Sequence, residues 1–276
     1  MRFFSGLLLC LLFYGRYSYA IEAPKQFDWH NNYVIQVEFR ESEFAPFMRS
    51  ITVNVKEKPT NKTVYQFQDE GIPLDFFIKK VGAQKNFFYL IHSGGESGGS
   101  TTLRYLTLNK GQILNKMVEE SPASFEFVDV DKDGNAEIVT QDMRFEWFEV
   151  ENDCHIVSFY AEYFDSSEYF FPKIFTLENS EFVNNTFKFK KYLQHDYLAN
   201  LEQMLLKDGE EKSYIAGFIQ YFYVSAKLGR TKSALTFIKQ HNKPFQRYRC
   251  QDGKTVNTTV FDLINKYQDN IRLFRE

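Results

Sequence analysis

Ile51-Thr52-Val53-Asn54-Val55 alternates apolar and polar side chains with a period of two, the pattern of a strand with one buried face. Similar runs, alternating or as short apolar blocks, lie on both sides of it. Val34-Ile35-Gln36-Val37 precedes it, and Phe76-Phe77-Ile78, Phe87-Phe88-Tyr89-Leu90-Ile91 and Leu103-Arg104-Tyr105-Leu106-Thr107-Leu108 come after it. Turn-forming residues separate the runs at Lys58-Pro59, Gly71-Ile72-Pro73, Gly82, the Gly94 to Gly99 stretch and Lys110-Gly111. From Tyr33 to Phe182 the sequence therefore predicts strands and hairpins of an antiparallel sheet, arranged as a sandwich or in a propeller-like fold.

Beyond Asn184 the period changes. Val260, Leu263, Ile264, Tyr267, Ile271 and Phe274 recur at helical spacing behind Thr259, with Asp262 placed three residues on as the partner of a capping box. Leu193, Tyr197, Leu201, Met204 and Leu205 mark another helix, stopped at Asp208-Gly209. Between them, Tyr214 to Leu228 and Thr231 to Gln240 read as a helical hairpin with Gly229 as its stop and Thr231 as the next cap; Pro244 interrupts the helical pattern after Gln240. The hairpin, around Leu228-Gly229-Arg230 and Ala234-Leu235, loosely resembles a single tetratricopeptide unit, which implies a surface for another chain. The expected fold class is α+β as separate domains: an N-terminal antiparallel β domain over 21–184, followed by a C-terminal α-helical domain over 185–276.

Charge divides at the same place. The formal net charge of −3 becomes −5 once Arg2 and Arg16 are set aside with the first 20 residues. Residues 21–184 carry 15 basic and 27 acidic side chains, whereas residues 185–276 carry 16 and 9, so an acidic half precedes a basic one. With 43% hydrophobic residues, 30 Phe and 17 Tyr against 14 Gly and 7 Pro, the chain excludes disordered and collagenous classes and predicts a ring-rich core.

The first 20 residues read as a secretory signal. Arg2 leads the apolar run Phe3 to Tyr14, and Ser18-Tyr19-Ala20 offers small residues at the cleavage positions. The run is shorter than the ~20 residues that a bilayer span needs, and no later uncharged stretch reaches that length, so no transmembrane segment is expected. A chain cut after Ala20 is periplasmic or secreted. Its low Ala content, with many Phe, Asn, Lys and Tyr, resembles that of a bacterium with an AT-rich genome. Cleavage leaves Cys154 and Cys250, a pair that exported chains more often bridge than leave free.

One motif carries chemistry. Asp129, Asp131 and Asp133 stand at alternate positions, Gly134 permits a sharp turn, and Asn135 and Glu137 come next. Carboxylates so spaced can converge on a hard cation, and this many protein oxygens favour calcium over magnesium. An EF-hand would need a bidentate Glu where Thr140 stands, and helices where Phe125 to Val128 and Ile138-Val139 read as strands. The loop resembles the calcium loops of the FG-GAP and VCBS repeat families. That resemblance covers about twenty residues and occurs once. It implies ligands at Asp129, Asp131, Asp133 and Glu137, with the Asn135 carbonyl between the last two. The alternative is an Asx-rich turn without metal, since Asp and Asn also bond to their own backbone.

Other signals are weaker. Gly95-Glu96-Ser97-Gly98-Gly99 resembles the nucleophile segment of chymotrypsin-like proteases, but neither His30 nor His92 stands in the setting a catalytic base of that family has. Lys243 to Arg249 interleaves bases with rings; in an exported acidic chain this suits a solvated or docking face better than nucleic acid. The sequence thus predicts an exported calcium-binding structural or interaction module with a protein or envelope partner and no nucleic acid. Two alternatives remain: a hydrolase of an unrecognised family, or an envelope-associated inhibitor using the basic helical face.

Overall fold

A computed structural model describes residues 24–42, 48–82, 84–93, 100–121, 124–142, 147–151, 156–160, 171–207, 211–241, 244–249 and 255–267. The expected leader, the Gly94 to Gly99 stretch, Cys154 and Cys250 lie outside these residues. The chain divides into two compact units, the first ending at Glu120 and the second beginning at Ser121.

The first unit is an antiparallel meander. Strands β1 (Lys25–Trp29), β2 (Tyr33–Glu41), β3 (Arg49–Glu57), β4 (Thr63–Val81), β5 (Gln84–His92), β6 (Thr101–Asn109) and β7 (Gln112–Ser121) lie side by side in chain order. Period-two alternation sends Ile35, Val37 and Phe39 of β2, and Ile51, Val53 and Val55 of β3, into one apolar core with Phe87, Tyr89 and Ile91 of β5. The opposite face of β2, β3 and β4 carries a polar row, Gln36, Asn54 and Gln66, in which the Gln66 amide donates to Asn54 Oδ1 at 2.8 Å. Residues of β1 complete the core: Phe27 meets Phe87 edge-on at 5.2 Å, and Trp29 Nε1 donates to the Lys85 carbonyl at 3.0 Å. Rings dominate the packing, as the composition predicts, with Phe76 stacked on Tyr89 at 6.3 Å.

Gly71-Ile72-Pro73, expected as a turn, instead lies inside one 19-residue strand. The N-terminal part of β4 pairs with β3 as far as Gly71, and the C-terminal part pairs with β5 from Ile72 onward, with a register shift between Pro73 and Asp75. Gly71 is required where the partner changes: a Cβ there would lie 2.2 Å from Ile91 Cγ2 and 2.9 Å from the His92 carbonyl oxygen. The two residues that signal a turn in sequence here pivot a strand from one neighbour to the next.

In the second unit, β8 (Glu126–Val128), β9 (Glu137–Asp142), β12 (Phe171–Glu178) and β13 (Glu181–Asn184) form a four-stranded antiparallel sheet in the order β13-β12-β9-β8. Strands β10 (Trp147–Glu151) and β11 (Ile156–Tyr160) form a separate hairpin. Helix α1 spans residues 190–206, with π geometry over Leu193–Tyr197. It is followed by α2 (Glu211–Lys227), α3 (Thr231–Gln240) and α4 (Val260–Tyr267). Leu193, Leu198, Leu201 and Leu205 of α1 share a core with Phe218, Ile219 and Phe222 of α2, and Phe171 of β12 belongs to the same core. Sheet and helices are therefore packed together within this unit, and Asn184 falls inside it.

The ends of these helices obey the sequence in part. Thr259 Oγ1 and the Asp262 carboxylate exchange capping bonds, including Asp262 N–H to Thr259 Oγ1 at 3.1 Å. Thr231, expected as a cap, is instead the first helical residue; Arg230 occupies the cap position without a side-chain bond. Strands β14 (Pro244–Arg249) and β15 (Thr255–Thr259) form a hairpin where no strand was expected. Among the described residues the fold is mostly antiparallel sheet with helices toward the C-terminus, and it shows no closed barrel or propeller. No helix of the described residues is long and apolar enough to cross a membrane.

Candidate metal-binding loop and its cleft

The acidic loop connects β8 to β9, whose pairing aligns Val128 with Glu137. Both flanks are strands, as expected. The turn is built from the loop's own carboxylates. Asp129 accepts the N–H groups of Asp133 and Gly134 at 3.0 and 2.9 Å, and Asp133 accepts the N–H of Asn135 at 2.7 Å. Glu137 reaches back to accept the Val130 N–H at 2.8 Å. Gly134 at φ 90° and Lys132 at φ 62° take the left-handed conformations that fold the loop inward.

Oxygens of Asp129, Asp131 and Glu137 lie within 4.8 Å of one another, close enough for one ion to bridge all three. Asp133 is not part of that set: its carboxylate also accepts the Asn135 side-chain amide at 3.2 Å. The Asx-type bonds of Asp129 and Asp133 are those an ion-free turn makes as well. Glu137 is different, because it is only 6% exposed. Burial raises its carboxyl pKa above the ordinary value; the Val130 N–H opposes the shift, and the charges of Asp131, Asp133 and Asp129 add to it.

Beside the loop lies a cleft of about 810 Å³. Asp131 and Asp133 line it, as do Lys190, Lys191, Tyr192 and His195 of α1. Lys188 also borders the cleft, paired with Glu178 at 2.7 Å, and Asn185 donates to the same carboxylate at 2.6 Å. These bonds hold Glu178 below the ordinary carboxylate range, the Lys188 bond having the largest effect. Burial raises the Tyr192 hydroxyl pKa, and the charges of Asp196 and Glu126 raise it further.

The lysines of the cleft did not stand out in the sequence. Their only trace there is the run Lys188-Phe189-Lys190-Lys191 at the opening of the basic half. His92, weighed as a catalytic base, holds the Ser100 carbonyl through Nδ1 at 2.9 Å and so ties strand ends together. His30 lies in the β1–β2 turn at φ 53°. No family model, no curated protein and no solved structure matches the chain.

Proposed function

We propose that the chain is an exported, periplasmic or secreted, calcium-binding module with a structural or interaction role. The observation that carries this reading is the convergence of the Asp129, Asp131 and Glu137 oxygens within 4.8 Å on a strand-flanked loop. Calcium is favoured because the donors are all hard oxygens and the loop resembles those of the FG-GAP and VCBS families. Asp133 and the Asn135 carbonyl would join the shell once a cation draws them in. Export is inferred from the signal-like first 20 residues, and a Cys154–Cys250 bridge belongs to the same reading. In it the N-terminal strands form a sandwich-like body, and the basic helical region meets a protein or envelope partner.

Bound calcium would stabilise the folded state by mass action, by about 2.7 kcal/mol at a concentration of 100 times Kd. Calorimetric titration of the full chain with calcium tests the proposal. Saturable binding is expected in the wild type and its loss in an Asp129→Asn, Asp131→Asn double variant. Equal heats in the two proteins would refute it.

A further inference from the structure

We infer that the cleft beside the acidic loop is a calcium-dependent binding site for a small phosphate monoester. The inference rests on the calcium reading and adds a ligand to it. A volume of about 810 Å³ is far larger than one ion and its waters need, and falls in the range of small-molecule sites. Asp131 links the two, since it belongs both to the converging carboxylates and to the cleft wall. Glu137 is buried, and neither it nor Asp129 lines the cleft, so a cation held by this set would meet the cleft on the Asp131 side.

The rest of the lining supplies what an oxyanion needs. The Lys190 and Lys191 side chains are exposed and, among the described residues, have no ion-pair or hydrogen-bond partner; Lys188 is already engaged by Glu178. The two ammonium groups of α1 and one divalent ion make three positive points; Lys132 of the loop lines the cleft as well, and the Asp196 carboxylate opposes them. A phosphate monoester, with a charge of about −1.5 to −2 at neutral pH and three terminal oxygens, can meet all three. A carboxylate, with one charge and two oxygens, meets them less fully. Phe189 and Tyr192 give the ligand's organic part an apolar surface. The π segment Leu193–Tyr197 places His195 and Asp196 on the same cleft, and such segments recur at functional sites.

Without calcium the loop carboxylates repel the phosphate, so the two ligands must be coupled. Coupling is reciprocal: the factor by which calcium tightens phosphate binding is the factor by which phosphate tightens calcium binding. Phenyl phosphate is the probe, titrated calorimetrically into the full chain in calcium and in chelator, with benzoate as the carboxylate comparison. Binding is expected to be about tenfold or more tighter in calcium, with benzoate weaker, and calcium affinity should rise by the same factor when phenyl phosphate is present. A Lys190→Gln, Lys191→Gln double variant should keep its calcium affinity, which also reports that it is folded, and lose about tenfold in phenyl phosphate affinity. Calcium binding without calcium-dependent phenyl phosphate binding would overturn this inference alone, as would indifference to the lysine substitutions or benzoate binding equally well. Absence of calcium binding would overturn the calcium reading and this inference with it.

Discussion

Replacing Glu137 by Gln should change stability in opposite directions with and without calcium. In the cation-free protein the Glu137 carboxylate is 6% exposed, and its oxygens share a 4.8 Å cluster with those of Asp129 and Asp131. At that separation each like-charged pair costs from about 1 kcal/mol in bulk water to about 3.5 kcal/mol at an effective dielectric near 20. Gln removes two such pairs, keeps the shape, and retains an oxygen for the Val130 N–H. It gives up the charge-assisted part of that bond, worth about 1 kcal/mol. In chelator the variant should therefore be more stable than the wild type by about 1 to 2 kcal/mol, the lower part of the Coulomb range applying to a loop open to water. In calcium the loss of one anionic ligand should weaken binding by about 100-fold, or about 2.8 kcal/mol. The order of the two proteins then reverses at saturating calcium. Thermal unfolding in both conditions reads the result, at about 2 to 4 °C per kcal/mol for a body of this size. A variant destabilised equally in calcium and in chelator would refute the reasoning, and would make Glu137 a residue that only starts β9.

Stability of the cation-free protein should also depend on pH through the same side chain. Its folded pKa is raised, so between the ordinary carboxylate value and the raised one the folded state holds a proton that the unfolded chain has released. Stability in chelator should fall as pH rises through that window, and Glu137→Gln should remove the slope. Gly71→Ala drives a methyl group against Ile91 and the His92 carbonyl, and should cost about 1 to 3 kcal/mol in urea unfolding; a cost near zero would show that β5 does not approach there. Phe171→Ala should cost about 3 to 5 kcal/mol and lower hydrogen-exchange protection in α1 and α2 as well as in β12. Unchanged helical protection would mean that sheet and helices do not share a core. Thr259→Ala should cost about 1 kcal/mol through loss of the capping bonds, seen as a lowered melting temperature.

How much of this was legible in the sequence depends on how local the cause is. The alternation of Ile51 to Val55 and of Leu103 to Leu108 identified strands because a buried face leaves a period of two in the chain itself. Thr259 and Asp262 were readable for the same reason, the bond spanning only three residues. Gly71 and Pro73 misled because their positions answer to β5, a different strand, and nothing local distinguishes a pivot from a turn. Thr231 fits the cap rule equally well, yet α3 starts one residue earlier than that rule allows. Phe245 to Arg249 pairs as a strand, and its mixture of bases and rings carries no clean period of two that would have announced one. The carboxylates of the acidic loop are sequence neighbours and could be named in advance, while Lys190 and Lys191 reach the same cleft only through the path of β12, β13 and the start of α1. The charge change at 184 records composition, and the compact units record packing, which joins Phe171 to the helices.

The chain-order meander of the first unit also bears on how fast the protein can form. Every one of its seven strands finds its partner next door in sequence, so each pairing closes only a short loop. Such low contact order places these strands toward the quick end of β-sheet assembly. Because β4 serves two partners in succession, zipping can run from β3 to β5 along one continuous backbone without a new nucleation event. All seven strands precede the acidic loop in sequence, so the sheet can pair without waiting for that loop to take its shape.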